Sequence, residues 1–133
     1  MATHIKVKEL RSLPKYEPPL DVRIGIDNTM APDATMTMSH PIIPPGGRNQ
    51  RHYHKNTDAA MHVLKGRMRV FLGPKNDMKE TDVQAGDFIF VPRGEIHGLM
   101  NLSKTEPVEL IATYNHAGSV EEAGTVFVED VWK

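Results

Sequence analysis

The sequence has no cysteine among its 133 residues, which excludes disulfide bonds, thiolate metal ligands and a cysteine nucleophile. It also lacks a dominant sign of charge, because 16 lysine and arginine residues stand against 17 acidic residues. No basic run is present either. A balanced charge of this kind argues against nucleic acid or an anionic membrane surface as the main partner.

Long hydrophobic runs are absent as well. No apolar stretch approaches the roughly 20 residues that a transmembrane helix needs. The N-terminal residues pass directly into polar sequence, without the apolar segment of a secretory signal. We therefore expect a cytoplasmic protein that does not associate with membranes.

Sustained helical periodicity is missing throughout the chain. Short stretches that alternate apolar and polar residues, separated by turn-forming residues, predict strands instead. The predicted strands cover residues 20–26, 34–40, 52–54, 60–64, 67–72, 88–91 and 108–114. Pro41 is expected to end the second strand, and Lys65-Gly66 to join the fourth and fifth in a tight turn. This pattern is typical of an all-β sandwich or barrel.

The two ends of the chain are less regular. Residues 1–19 are rich in proline and are expected to form an irregular arm. Residues 119–123 predict one helical turn, and residues 126–132 a terminal strand or arm. No composition shift or repeat divides the chain, so we expect one domain over residues 1–133, with its core at residues 34–114.

Three histidines carry the strongest chemical signal. Alternate side chains of an extended strand share a face, so His52 and His54 point the same way. His97 follows a strand and a Pro/Gly turn within residues 86–97. Imidazoles side by side on one face can share a metal ion when a further ligand lies opposite. The spacing predicts that the fold brings these three histidines together.

These residues resemble the two sequence motifs of the cupin family. The first motif contains G, H-x-H, a glutamate and a second G, and the second contains G, P-x-G, H and N, all at set spacings. The matching residues are Gly46, His52, His54 and Gly66 in the first motif and Gly86, Pro92, Gly94, His97 and Asn101 in the second. The resemblance implies a single jelly-roll-like β-barrel with a metal held by His52, His54 and His97.

One position of the first motif departs from the family pattern. Where cupins have a metal-binding glutamate, this chain has Ala59, which cannot bind a metal. Asp58 is adjacent, but a shift of one residue along a strand turns a side chain to the opposite face, and only a bulge would bring it inward. We expect a three-histidine site, and whether Asp58 replaces the glutamate stays open.

Loss of the carboxylate predicts a particular chemistry. Three neutral imidazoles leave the charge of a divalent metal uncompensated, which favours an anionic, chelating substrate such as an enolate. The resemblance to three-histidine cupins implies an Fe(II)-dependent dioxygenase of a small enolisable or hydroxylated ketone. Two alternatives stay open. One is an isomerase, lyase or hydrolase that uses zinc, nickel or manganese as a Lewis acid, and the other is a cupin that only binds a small molecule.

The same alternation places two further side chains toward the metal. Gln50 shares a face with His52, and Met61 shares a face with Ala59. A buried amide needs hydrogen-bond partners, which makes Gln50 a candidate to bind a substrate. Met61 is expected to line the pocket as part of the core. We predict both as substrate-binding residues, and no catalytic residue is identified.

Other residues of the motifs are expected to serve the fold or the surface. Arg51 and Tyr53 alternate with the histidines and should face solvent or a subunit contact. His62 is predicted at the surface or at an interface. Asn101 is expected to hold backbone near the turn that precedes His97.

The terminal segments predict the oligomeric state. The strand at residues 20–26 and the segment at residues 126–132 lie outside the motif core. Terminal strands of small barrels in the resembled family pair with a second copy, and an unpaired strand edge is a liability. We expect a homodimer whose ligand is a small anionic molecule.

Overall fold

The fold is almost entirely β-structure. The structure, a computed structural model, describes residues 2–128. Its strands are β1 (Arg11–Ser12), β2 (Asp21–Ile26), β3 (Thr37–Ile43), β4 (His52–His54), β5 (Ala59–Lys65), β6 (Arg67–Leu72), β7 (Lys79–Gln84), β8 (Phe88–Val91), β9 (His97–Asn101), β10 (Val108–Tyr114) and β11 (Thr125–Phe127). Within this part of the chain, the helices are two short 3-10 turns, at Val7–Glu9 and Lys75–Asp77.

These strands form two antiparallel sheets. One sheet has six strands in the order β1-β2-β3-β10-β5-β8, and the other has five strands in the order β11-β4-β9-β6-β7. The two sheets face each other and do not close into one continuous barrel. The all-β fold of jelly-roll type that the sequence predicted is confirmed.

The core lies between the two sheets. Alternate residues of the strands point into it, as in β5, where Ala59, Met61 and Val63 are buried while Ala60 and Leu64 are exposed. Burying a side chain such as valine or methionine contributes roughly 1.5–3 kcal/mol to stability. The alternation therefore decides which side chains of each strand reach the space between the sheets.

Gly66 forms a corner between the sheets. β5 lies in the six-stranded sheet and β6 in the five-stranded sheet, so the predicted tight turn at Lys65-Gly66 links two different sheets. Gly66 has a φ of 90°, in the left-handed region that favours glycine. A Cβ at this position would lie 2.9 Å from Cγ2 of Val108 and 3.0 Å from the carbonyl oxygen of Pro107. The corner therefore requires glycine.

β3 continues through Pro41, so the strand end predicted at this proline is wrong. Pro41 pairs with Val22 of β2. On its other side, the ladder to β10 includes Ile42 and Ile43 and resumes at Ser39, leaving out Pro41. Proline has no N–H to donate. The interruption of this ladder allows the strand to pass the proline without an unmade hydrogen bond.

The ends of the chain differ in part from the prediction. Residues 119–123 form turns, in which the N–H groups of Ala123 and Gly124 bond to the carbonyl oxygens of Val120 and Glu121 at 3.3 Å, and no regular helix extends from them. β2 pairs with both β1 and β3, and β11 pairs with β4 of the same chain. Both segments that were expected to pair with a second copy are therefore paired within the chain. The remainder of the second segment, residues 129–132, lies outside the described residues.

The short helices also bear on membrane association. Over residues 2–128, no helix is long and apolar enough to cross a membrane. The cytoplasmic location and the single-domain organisation inferred from the sequence stay predictions.

Asn101 has a structural role, because its side chain links separate backbone segments through hydrogen bonds. Its Nδ2 donates to the carbonyl oxygens of Ile43 and Pro44 at 3.1 Å and of Glu106 at 2.8 Å. Its Oδ1 accepts from the backbone N–H of Ser103 at 2.8 Å. The segments that it holds are therefore the loops around β3 and β9, and not the turn expected from the sequence. Because Asn101 is 3% exposed, water cannot replace these bonds.

Replacement of Asn101 by alanine should lower the free energy of unfolding by about 2–4 kcal/mol, because buried carbonyl groups lose their donor. Urea denaturation followed by circular dichroism measures the difference. Asn76→Ala, at an exposed residue of the second 3-10 turn, should change the same free energy by less than about 0.5 kcal/mol. Equal stabilities of the two variants would contradict the role given to Asn101.

Candidate metal centre

Three histidines converge on the inner side of the five-stranded sheet. β4 carries His52 and His54, and the antiparallel pairing of β4 with β9 places His97 opposite His52. The ring centroids are 4.4 Å apart for His52 and His97, 5.0 Å for His52 and His54, and 5.2 Å for His54 and His97. One ring nitrogen of each histidine lies within 4.8 Å of the others. The convergence predicted from the sequence is confirmed.

Two of the imidazoles are oriented by backbone carbonyl groups. Nδ1 of His52 lies 2.9 Å from the carbonyl oxygen of Gln50, and Nδ1 of His97 lies 3.0 Å from that of Glu95. Because a carbonyl oxygen only accepts, both Nδ1 atoms carry a proton and donate it. Nε2 of the neutral ring then keeps a lone pair. This tautomer is the one in which histidine binds a metal through Nε2.

His54 belongs to a chain of hydrogen-bonded side chains. Its Nδ1 lies 2.8 Å from Oγ1 of Thr125, which β11 places opposite His54. The same Oγ1 lies 2.8 Å from the hydroxyl of Tyr16, which lies 3.1 Å from the hydroxyl of Tyr114. Burial raises the pKa of Tyr114 well above its ordinary value, which keeps this hydroxyl protonated. The chain of bonds connects the N-terminal arm to one of the three histidines.

A buried carboxylate that no sequence pattern predicts lies against the histidines. Glu17 lies in the arm between β1 and β2 and is 7% exposed. Its Oε1 is 3.0 Å from Nε2 of His52. Glu17 stands outside both motifs, in a segment without periodicity, so no spacing in the sequence marks it. Only the tertiary path of the arm brings it to the site.

The charges of Glu17 and His52 support each other. Burial alone would raise the pKa of Glu17, but the charge of His52 and the hydrogen bond to it hold the pKa below its ordinary value. Burial alone would lower the pKa of His52, and the charge of Glu17 raises it above its ordinary value. Burial and the charge of His52 lower the pKa of His54 to about 4 and that of His97 to about 3. Glu17 and His52 thus favour each other's charged forms, whereas His54 and His97 are neutral imidazoles near pH 7.

The donor set fits a divalent transition metal. Imidazole nitrogens suit iron, zinc and nickel, and a carboxylate oxygen beside them also suits manganese. His52, His54 and His97 are 1%, 3% and 4% exposed, so the donors are held in dry surroundings. The expectation of an uncompensated metal charge is wrong for this fold, because Glu17 brings a negative charge to the histidines.

Position 59 offers no ligand, and Asp58 does not replace it. Ala59 is 2% exposed and lines the cavity beside the histidines. The carboxylate of Asp58 is engaged elsewhere, accepting from Nδ2 of Asn115 at 2.9 Å and from the backbone N–H of Arg93 at 2.8 Å. These two bonds lower the pKa of Asp58 to about 2. The structure therefore answers the open question against Asp58.

The two predicted substrate-binding residues have different positions. Met61 is 5% exposed and borders a cavity of about 30 Å³ next to the histidines. Gln50 does not face this cavity, because its side chain is exposed and its Nε2 donates to the carbonyl oxygen of Val128 at 2.7 Å. Strand alternation fails at Gln50 since β4 begins only at His52. The inward orientation expected for Gln50 is wrong.

A larger groove lies beside this cavity. Its volume is about 360 Å³, and its lining residues are Lys15, Tyr16, Glu17, Pro18, Arg48, Gln50 and Phe127. Glu17 borders both the groove and the cavity. The arm therefore separates the histidines from the groove, and Lys15 and Arg48 bring positive charge to it.

Residues that alternate with the histidines lie away from the cavity. Arg51 is 1% exposed and packs against Gly98, where a Cβ would lie 2.9 Å from Cγ of the arginine. The solvent position expected for Arg51 is wrong, because the chain at Gly98 and at Val128 lies against it.

His62 stacks on Phe88 with ring centroids 4.0 Å apart, on the outer side of the six-stranded sheet.

The chain matches known proteins over most of its strands. The family described as Cupin domain matches residues 40–114. Oxalate oxidase GF-2.8 of Triticum aestivum is 30% identical over 97 residues, which cover 70% of this chain and 41% of the relative. Germin-like protein subfamily T member 2 of Arabidopsis thaliana is 32% identical over 95 residues, which cover 69% of this chain and 43% of the relative. The chain spans less than half the length of these curated relatives.

Solved structures share the fold. An oxalate oxidase in complex with glycolate superposes with a TM-score of 0.69 at 25% identity, over 81% of this chain and 54% of the other. The oxalate decarboxylase of Lactobacillus farciminis, in a formate complex, has a TM-score of 0.74 at 19% identity, over 91% of this chain and 34% of the other, and shows the fold alone. The family match spans more than half of the chain and contains all three histidines. This chain belongs to the cupin family.

Proposed function

We propose that this protein is a mononuclear metal-dependent oxidoreductase whose substrate is a small anion that chelates the metal. The observation that carries the proposal is the convergence of three buried imidazoles, two of which donate Nδ1–H to backbone carbonyl groups, so that Nε2 is their metal-binding nitrogen. Polar groups buried this deeply are costly without a partner. One metal ion can act as the common partner of three converging imidazoles.

The residues of the chain have separate parts in this proposal. His52, His54 and His97 hold the metal, which when bound supplies Lewis-acid and redox chemistry. The carbonyl groups and the Thr125 hydroxyl behind them keep the rings aligned. Met61 forms part of the apolar wall that excludes bulk water and contacts the substrate.

The dimensions of the site limit the size of the substrate. A cavity of about 30 Å³ has room for about two water molecules, so a substrate must be small or extend beyond it. The groove beside Glu17 is the neighbouring space, and Lys15 and Arg48 there attract an anion. Gln50 lies in the same groove, where it would contact the part of a substrate that extends out of the cavity.

The relatives support the same class of substrate. The Triticum aestivum relative is named an oxalate oxidase, and the solved oxalate oxidase holds glycolate. Oxalate, glycolate and the enolate of a β-diketone or a hydroxyketone each present two oxygen atoms that can chelate a metal. We propose a substrate of this kind, dioxygen as the oxidant, and iron or manganese as the metal. A dioxygenase reaction on a ketone and an oxidase reaction on a carboxylate are the two forms of this proposal.

Metal binding should depend on His97. Chelator-treated protein titrated with Mn(II), or with Fe(II) under argon, should bind about one equivalent and melt at a higher temperature, since a ligand at a hundred times its Kd stabilises by about 2.7 kcal/mol. His97→Ala should weaken this binding by about 100-fold or more, because a direct metal ligand contributes more to the affinity than a residue that only hydrogen-bonds to a ligand. Plasma mass spectrometry and thermal melts measure both effects.

His4→Ala is the matched control, because His4 is exposed in the arm. This variant should bind metal as the wild type does. Equal metal binding by His97→Ala and the wild type would contradict the proposed site, and the interpretation as a cupin that only binds a small molecule would then lead.

Oxygen uptake should distinguish the candidate reactions. Metal-loaded protein is assayed in an oxygen electrode with oxalate, glycolate, a β-diketone and a hydroxyketone in turn. At least one should cause oxygen uptake that His97→Ala lowers by about 100-fold or more, because the metal supplies the redox chemistry. Conversion of any of these compounds at an unchanged rate without oxygen would favour the Lewis-acid alternative instead.

We also propose a homodimer formed through the outer face of the six-stranded sheet. Phe88 and Phe90 on the edge strand β8 are 78% and 65% exposed. His62 and Ala60 lie beside them on β5, and Met38 on β3 of the same face is 37% exposed. An exposed apolar patch marks an interaction surface, and an uncovered edge strand favours pairing. This surface replaces the terminal strands as the proposed contact.

Combined replacement of Phe88 and Phe90 by serine should convert the dimer into a monomer of 14.9 kDa, because it removes the apolar area of the contact. Size-exclusion chromatography with light scattering measures the mass. Val7→Ser, at a residue that is 80% exposed in the arm, should leave the dimer intact. A wild-type mass equal to that of the monomer would refute the homodimer.

A further inference from the structure

Glu17 is a buried carboxylate that the cupin motifs do not account for. Asp27 is also buried, but it pairs with Arg11 and accepts a bond from the backbone N–H of Thr29, as a structural carboxylate does. The ionic contact of Glu17 is instead with Nε2 of His52, at 3.0 Å. Glu17 is therefore directed at the atom with which this histidine would bind a metal.

Two electron-pair donors face each other at this contact. His52 donates its Nδ1–H to the carbonyl oxygen of Gln50 at 2.9 Å, so the neutral ring has its lone pair at Nε2. A carboxylate oxygen 3.0 Å from that lone pair needs a cation between the two, which is either a proton or a metal ion. Two adjacent ligands of an octahedral metal, each at about 2.1 Å, are about 3.0 Å apart. The contact thus has the separation of two ligands of one metal.

We infer that Glu17 binds the metal together with the three histidines, and so replaces the glutamate that is absent at position 59. The inference rests on the metal site proposed above. Ala59 lines the same cavity as Glu17 and the histidines, so a carboxylate can reach the site from either position. The first motif lacks this ligand, and the N-terminal arm supplies it.

The arm is anchored on both sides of Glu17. The hydroxyl of Tyr16 lies 2.8 Å from Oγ1 of Thr125, which in turn contacts Nδ1 of His54 at 2.8 Å. On the other side, the N–H of Leu20 donates to the carbonyl oxygen of Glu17 at 2.8 Å, and Leu20 is 1% exposed. These contacts hold the carboxylate in one place, as a metal ligand requires.

A ligand on the arm joins metal binding to closure of the cavity. Glu17 borders both the cavity and the groove, so a metal that holds Glu17 also holds the arm between them. A carboxylate ligand also offsets one positive charge of the metal. The site then has the charge of a cupin with a motif glutamate, although the carboxylate comes from a different part of the chain.

The test compares the Mn(II) affinities of E17Q, E17A and the double variant E17A/A59E, measured by competition with a chromogenic chelator. E17Q should weaken binding by about 100-fold or more, which exceeds the usual effect of a residue behind a ligand. The electron paramagnetic resonance spectrum of Mn(II) should change as well, because an anionic ligand is lost. In E17A/A59E, a glutamate at the family position should restore about tenfold or more of the affinity lost in E17A.

E9Q is the matched control, because Glu9 is an exposed glutamate of the same arm, and it should bind Mn(II) as the wild type does. The melting temperature of metal-free E17Q separates a structural effect from loss of a ligand. A purely structural role would change that temperature and leave the Mn(II) affinity unchanged. Mn(II) binding by E17Q within about threefold of the wild type, while His97→Ala loses the metal, would overturn this inference alone.

A measurement on the wild type covers the case in which E17Q does not fold. Protein labelled with [13C]glutamate is studied by infrared difference spectroscopy with and without Mn(II). Metal binding should shift a labelled carboxylate band in the wild type, and among the described residues Glu17 is the glutamate that lines the histidine cavity. An unshifted band at full Mn(II) occupancy would overturn the role of Glu17, and failure of His97→Ala to lose Mn(II) would overturn the proposed function with it.

Discussion

The structure depends on burying three imidazoles and a carboxylate at one point between two apolar sheets. A buried polar atom is costly unless it has a partner. The main chain provides some of these partners, because the carbonyl groups of Gln50 and Glu95 accept hydrogen bonds from the Nδ1–H groups of His52 and His97. The Nε2 atoms of the histidines and the carboxylate of Glu17 need a cation as their partner. A metal ion meets that need for all four groups, which is why we place the function there.

Several parts of the chain contribute to this one point, and each has a different task. The five-stranded sheet holds the histidines through the pairing of β4 with β9 and β11. The six-stranded sheet supplies the apolar wall on which Ala59 and Met61 lie. The arm supplies Glu17 and separates the cavity from the positively charged groove. A family site can thus keep its composition while one ligand moves from a strand to a connecting segment.

The outer surfaces carry the remaining functional features. The groove beside Glu17 is polar and bears Lys15 and Arg48, as an approach for a small anion would. The second surface is apolar. It is the outer face of the six-stranded sheet, where Phe88 and Phe90 are exposed on the edge strand β8. We propose the first surface for a charged small molecule and the second for another copy of the chain. None of the residues named here occupies a fixed position of the two motifs.

Local patterns in the sequence determined the all-β fold, the three histidines and the turn glycines. A period of two along a strand and the set spacings of the two motifs are properties of neighbouring residues, so they can be read without the fold. This is why His52, His54 and His97 were found, and why Gly66 was expected at a turn. Tertiary structure decided the rest. The alternation that places His52 inward does not extend to Gln50, because β4 begins only at His52. Glu17 reaches the histidines through the path of an arm that has no periodicity. A contact between distant segments leaves no local pattern in the sequence, so only the tertiary structure shows it.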